Sequence, residues 1–90
     1  AGKDPALAFD GQRWWRVHAP RIDATNPIGS GDAFAAGLVW RLLRGEDLGE
    51  ACRWASATGA ANALTMQAGE VHRSDVERLL EDVRVEAITA

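Results

Sequence analysis

The chain's 90 residues suffice for one domain at most, and their balance of 26% charged to 47% hydrophobic is that of an ordinary globular protein. A net charge of −3 gives no pull toward nucleic acid or an anionic membrane, and no apolar stretch reaches the roughly 20 residues that span a bilayer. The single Cys52 excludes an internal disulfide framework and suits a reducing cytosol, and the first residues lack the apolar run of a signal peptide, so a cytoplasmic protein is expected.

Taken in order, the chain opens on turn formers, Gly2 and Pro5. Short strand-like runs at 6–9 and 13–17 then flank Asp10-Gly11, a strong hairpin signal. Successive side chains on a strand point to opposite faces, so only one of Trp14 and Trp15 can face a core. His18 has no Cys or His close by in sequence, reads as a surface histidine, and supports no metal site. Residues 19–25 lead as a loop or edge strand into Asn26-Pro27-Ile28-Gly29-Ser30-Gly31-Asp32.

A first helix is expected over residues 31–44, ending at Gly45, a natural residue just past a helix C-terminus. Arg41 and Arg44 fall in its last turn, where the helix dipole favours cations. Residues 33–40 carry no charge and no hydrogen-bonding side chain except the Trp40 indole. A helix apolar on every face has to be covered on more than one side, and so short a chain offers little to cover it. The expectation is therefore a piece of a larger protein.

Asp47 reads as the N-cap of a second helix, with Leu48, Ala51, Cys52 and Ala55 as an apolar stripe at helical spacing. Cys52 lies in that stripe and reads as a buried structural thiol. Gly59 lowers helix propensity by about 1 kcal/mol against Ala, so a close neighbour is expected there. Asn62 is the polar exception in a run of alanines. Residues 65–70 read as a loop. Ser74-Asp75-Val76-Glu77 has the pattern of a capping box opening a third helix, whose core face is Val76, Leu79, Leu80 and Val83. Residues 84–88 read as a last, edge strand. No repeat or low-complexity segment interrupts this order.

The chemistry concentrates at Gly29-Ser30-Gly31-Asp32. A glycine-rich turn entering a helix leaves backbone N–H groups without intrahelical partners, and the helix dipole adds partial positive charge at the same spot. Such a site favours a phosphate. Asp32 would repel a resting anion, but it suits a reaction in which a hydroxyl loses its proton while negative charge builds nearby. Transfer of a phosphoryl group from a nucleotide to an alcohol fits both features. On these residues alone an ordinary first-turn carboxylate after a tight turn fits equally well. A P-loop does not fit, since no Gly-Lys-[Ser/Thr] follows the glycines, and no basic stripe suggests a nucleic-acid partner.

The run from Asn26 through Leu38, Asn-Pro-Ile-Gly-Ser-Gly-Asp-Ala-Phe-Ala-Ala-Gly-Leu, resembles the C-terminal signature of the PfkB (ribokinase-like) carbohydrate kinases. Its Asn-Pro opening is similar to the 1-phosphofructokinase and tagatose-6-phosphate kinase branch. The resemblance implies an α/β chain, the C-terminal part of a three-layer α/β/α kinase fold, built as a β-hairpin followed by three helices and an edge strand. It implies that residues 1–90 are the nucleotide-binding and catalytic third of a domain of roughly three hundred residues.

It further implies Asp32 as the base for the acceptor hydroxyl and the Gly29, Ser30 and Gly31 amides as an anion hole. The segment Ala1-Gly2-Lys3-Asp4-Pro5-Ala6-Leu7 is similar to the family's Gly-x-x-Gly-Ala-Leu nucleotide contact, with Pro5 where a second glycine is usual. A nucleotide contact is thereby implied for Gly2, the signature implies one for Gly31, and Ala61-Asn62-Ala63-Leu64, which resembles the family's segment beside the adenine and ribose, implies one for Asn62; residues 65–70, with Gly69, correspond to the nucleotide-side loop. ATP and Mg²⁺ are the implied cofactors, the metal being placed by a motif this chain does not contain, and Asn26 replaces the residue beside which some relatives hold potassium. The implied partners are a sugar or sugar phosphate and the rest of the kinase domain, and a homodimer is compatible. A nucleotide-binding or assembly protein that kept the scaffold and lost the chemistry is the alternative.

Overall fold

In the computed structural model, residues 5–22, 29–65 and 71–88 are described. Strand β1 (Ala6–Phe9) turns into β2 (Trp14–His18), helices α1 (Ser30–Leu43), α2 (Leu48–Ala63) and α3 (Arg73–Leu80) follow, and β3 (Arg84–Ile88) closes the series. The strands form an antiparallel sheet in the order β1-β2-β3, with Ala8 opposite Trp15 and Val17 opposite Val85.

The hairpin is shaped by Asp10. Its carboxylate accepts from the backbone N–H groups of Gln12 (2.9 Å) and Arg13 (2.7 Å) and from the Trp15 indole (3.2 Å), while Gly11 takes the left-handed conformation at φ 97°. These donors hold the Asp10 carboxyl below its ordinary value, the Gln12 amide most strongly. The two tryptophans divide as alternation requires. Trp15 lies over Gly49 of α2, whereas Trp14 stacks on Phe9 at 4.8 Å on the outer face. His18 on that outer face is half-buried and hydrogen-bonded to the Glu86 carboxylate across the β2–β3 ladder at 2.6 Å, a partner that lies 68 residues away in the chain.

Each helix boundary has a local cause. At the end of α1, the Gly45 N–H reaches the Leu42 carbonyl and the Glu46 N–H reaches that of Arg41, with Gly45 at φ 86°. That is a Schellman closure, which needs a residue tolerant of the left-handed region. Asp47 caps α2 as the sequence suggests, accepting from the Glu50 N–H at 2.8 Å. The capping box expected at Ser74 is absent. The N-cap of α3 is His72, whose carbonyl accepts from Asp75 and Val76, with no side-chain cap bond. Ser74 is thus already helical and cannot adopt the extended backbone an N-cap requires.

Helix α2 is the centre of the structure. It packs against α1, α3 and all three strands, whereas α1 and α3 meet, among the described elements, only α2. The core joins Val17, Cys52, Ala57, Ala61, Val76, Leu79, Leu80 and Val83. All four residues expected on the core face of the third helix and just beyond it are buried there. Burial also pushes the Cys52 thiol above its ordinary value, as the structural reading requires.

Helices α1 and α2 run antiparallel, so the beginning of α1 lies beside the end of α2. The contacts step along the pair. Ser30 meets Gly59 and Asn62, Gly37 meets Ala55 and Thr58, and Arg41 lies 3.9 Å over the Trp54 ring. Arg41 also contacts Glu46 at 2.5 Å. It is thus a brace between α1 and α2 as well as a last-turn cation. Gly37 is the only buried residue of α1, and Val39, Leu42 and Leu43 are exposed.

Candidate active site

Gly29 is the N-cap of α1 and sits at φ 88°, a conformation glycine adopts without strain. The first helical hydrogen bond runs from the Ala33 N–H to the Gly29 carbonyl at 2.9 Å. The amides of Ser30, Gly31 and Asp32 therefore precede the helical ladder, and the N-cap has no side chain with which to satisfy one of them. Those donors and the dipole define a positive end of α1 suited to phosphate oxygens.

Asp32 follows in the first turn and is exposed. Its carboxylate is available to a hydroxyl group of a partner molecule. A Cβ added at Gly31 would meet nothing within 4 Å, so no packing among the described residues calls for glycine there.

Ser30 is held from the other side. Its hydroxyl accepts from the Asn62 side-chain amide at 3.4 Å, and a Cβ at Gly59 would come within 3.1 Å of its carbonyl oxygen. The close neighbour expected at Gly59 is thus the start of α1. Asn62 itself is 0% exposed and turned toward Ser30. Of the expected site, then, the structure brings together Gly29, Ser30, Gly31, Asp32 and Asn62. Gly2, Asn26 and Gly69 lie outside the described residues. The shared target of Gly59 and Asn62 was missed from sequence, although their spacing of three on one helix face was a usable signal.

Among the described residues no cluster of His, Cys, Asp or Glu could hold a metal ion, and no helix is long and apolar enough to cross a membrane. A cleft of about 440 Å³ lined by Trp15, Asp47, Arg53 and Arg84 opens at the start of α2, the end opposite Asn62.

A turn whose amides precede the helical ladder, followed by an exposed carboxylate at a helix entrance, has a geometry suited to phosphate on an α/β scaffold. Comparison with known proteins makes the class specific. Residues 1–74 match the pfkB family carbohydrate kinases. Over 84 residues the chain is 30% identical to tagatose-6-phosphate kinase of Staphylococcus epidermidis, covering 93% of this chain and 27% of that enzyme. A solved structure assigned as a phosphofructokinase from Staphylococcus aureus superposes with a TM-score of 0.86 at 26% identity, over 97% of this chain and 28% of that one. Phosphofructokinase-2 of Escherichia coli, solved in complex with potassium, shares the fold at a TM-score of 0.80 and 22% identity, over 89% of this chain and 26% of that one. The chain belongs to the pfkB family of carbohydrate kinases and has its ribokinase-like α/β fold. It spans just over a quarter of the length of these relatives.

Proposed function

We propose that this chain is the C-terminal catalytic and nucleotide-side part of a kinase that transfers a phosphoryl group from ATP to a hydroxyl of a sugar or sugar phosphate. The observation that carries this reading is the entrance of α1. Its first amides are uncommitted within the helix, and the exposed Asp32 carboxylate stands in the same turn. Asp32 removes the proton from the acceptor hydroxyl. The amides at Gly29, Ser30 and Gly31 stabilise charge on the transferring phosphoryl group, and Gly31 also contacts the nucleotide.

The positive helix end fits the triphosphate of ATP. Mg²⁺, when bound, neutralises phosphate charge, and the described residues offer no ligand set for it. The tagatose-6-phosphate kinase relative favours a sugar phosphate as acceptor. The rest of the kinase domain is the proposed partner for the exposed faces, a homodimer is compatible with them, and a cytosolic setting suits the free Cys52 thiol.

The test is Asp32→Asn in the full-length kinase. Losing a general base lowers kcat by roughly 10²–10⁴, while ATP binding followed by calorimetry persists. Near-normal turnover would overturn the assignment.

A further inference from the structure

We propose that Gly59 and Asn62 of α2 are positioning residues for phosphoryl transfer, holding the Ser30 peptide and through it the Gly31 amide and the Asp32 carboxylate. The proposal rests on the kinase reading above and departs from the expectation that Asn62 touches the nucleotide directly.

Two independent contacts converge on Ser30. Gly59 lets the α2 backbone approach so closely that an added Cβ would stand 3.1 Å from the Ser30 carbonyl oxygen and 3.5 Å from the Phe34 Cβ. One turn further on, the Asn62 side-chain amide donates to the Ser30 hydroxyl at 3.4 Å. Asn62 is 0% exposed, and a buried amide is tolerated only when its polar atoms are matched. The end of α2 is itself pinned, because the Asn62 carbonyl accepts from the Thr65 N–H at 3.1 Å and from its hydroxyl at 2.9 Å.

Ser30 lies between the left-handed Gly29 and the two residues that meet the reactants. Rotation of its peptide would re-aim the Gly31 N–H and tilt the first turn that carries Asp32. Reaction rates are sensitive to such small displacements of reacting groups, far more than ground-state binding is. A residue that acts by this route changes kcat and leaves KM nearly alone, whereas a direct nucleotide contact changes KM for ATP.

The experiment is a double-mutant cycle in the full-length protein with Ser30→Ala, Asn62→Ala and the pair, assayed with ATP and D-tagatose 6-phosphate. Each single change is expected to lower kcat about two- to tenfold, the scale of one neutral hydrogen bond, with both KM values within about twofold of wild type by the same scale. The double variant is expected to be no slower than the slower single, because both remove one interaction. Multiplicative losses, or a rise in KM for ATP at unchanged kcat, would overturn the proposal. So would a lowered melting temperature with unchanged kinetics.

Ser30→Ala leaves α2 intact, so it decides the matter if Asn62→Ala fails to fold: unchanged kcat in that variant refutes the role. Amide exchange of Ala33, the first helical hydrogen bond, supplies a readout independent of turnover. It should quicken in Ser30→Ala and Asn62→Ala by a similar factor, and an unchanged rate would refute the positioning role. If the wild-type protein transfers no phosphoryl group, the kinase reading fails on its own, and the exchange rates still decide whether Asn62 holds the turn.

Discussion

At the scale of single residues, the side chains split into those whose role follows from their neighbours in sequence and those whose role does not. Asp10 belongs to the first kind: an aspartate before glycine between two strand-like runs caps its own turn. Its folded pKa is lowered, so its stabilisation is complete above the ordinary value of 3.8 and is lost as pH falls through the folded value. In melts from pH 7 downward, Asp10→Ala should therefore be less stable than wild type at neutral pH, with the gap closing only below about pH 3.8. A gap that is constant with pH would show that the carboxylate charge is not what holds the loop. Asn62 belongs to the second kind. Its isolation among alanines marked it as unusual, but its partner Ser30 lies 32 residues away. No local pattern encodes which distant group a buried amide will meet. Resemblance to a family supplied a ligand for it, and geometry supplied Ser30.

At the scale of elements, local chemistry was readable wherever a boundary is made by the backbone of adjacent residues. Gly45, Asp47 and Asp10-Gly11 act within a few positions of themselves, and the structure places helix ends and the hairpin there. The third helix shows the limit. Ser74 and Glu77 have the spacing of a capping box, yet the backbone enters the helix earlier, at His72. Burial of Val76, Leu79 and Leu80 sets where the helix must lie, and this packing outweighs a cap worth about 1 kcal/mol. Close approach between elements was legible at Gly59, though without its partner, and went unmarked at Gly49. At Gly49, an added Cβ would stand 2.6 Å from the Trp15 ring. The gain in helix propensity from Gly49→Ala, about 0.8–1 kcal/mol, is then exceeded by an overlap costing about 1–3 kcal/mol. Chemical denaturation should show net destabilisation, and a more stable variant would mean that the Trp15 ring moves aside freely.

At the scale of the whole molecule, apolar surface remains on two faces. The outer face of the sheet presents Leu7, Phe9 and Trp14, and α1 presents Val39, Leu42 and Leu43, the last 82% exposed. Within the uncharged run at 33–40, Val39 and Trp40 are thus left exposed. The isolated 90-residue chain should bind a hydrophobic dye or self-associate, and Leu43→Lys together with Val39→Lys should reduce both in light scattering and fluorescence. A monodisperse wild-type chain without dye binding would contradict this expectation.

The ladder between β2 and β3 has a consequence in time as well as in space. It pairs Trp14 with Ile88, 74 positions apart in the chain, whereas β1 meets β2 through a four-residue loop and α1 meets α2 through a connection just as short. Closing a loop as long as the 68-position separation of His18 and Glu86 costs about 2.5 kcal/mol more chain entropy than closing the hairpin. That cost falls once α1, α2 and α3 have folded and shortened the path. Strand β3 is thus the last element to join, docking onto a surface that α2 has already organised. In pulse-labelled refolding of the full-length protein, the amides of α2 should gain protection before those of β3. Simultaneous protection would mean that the long pairing forms within the rate-limiting step and not after it.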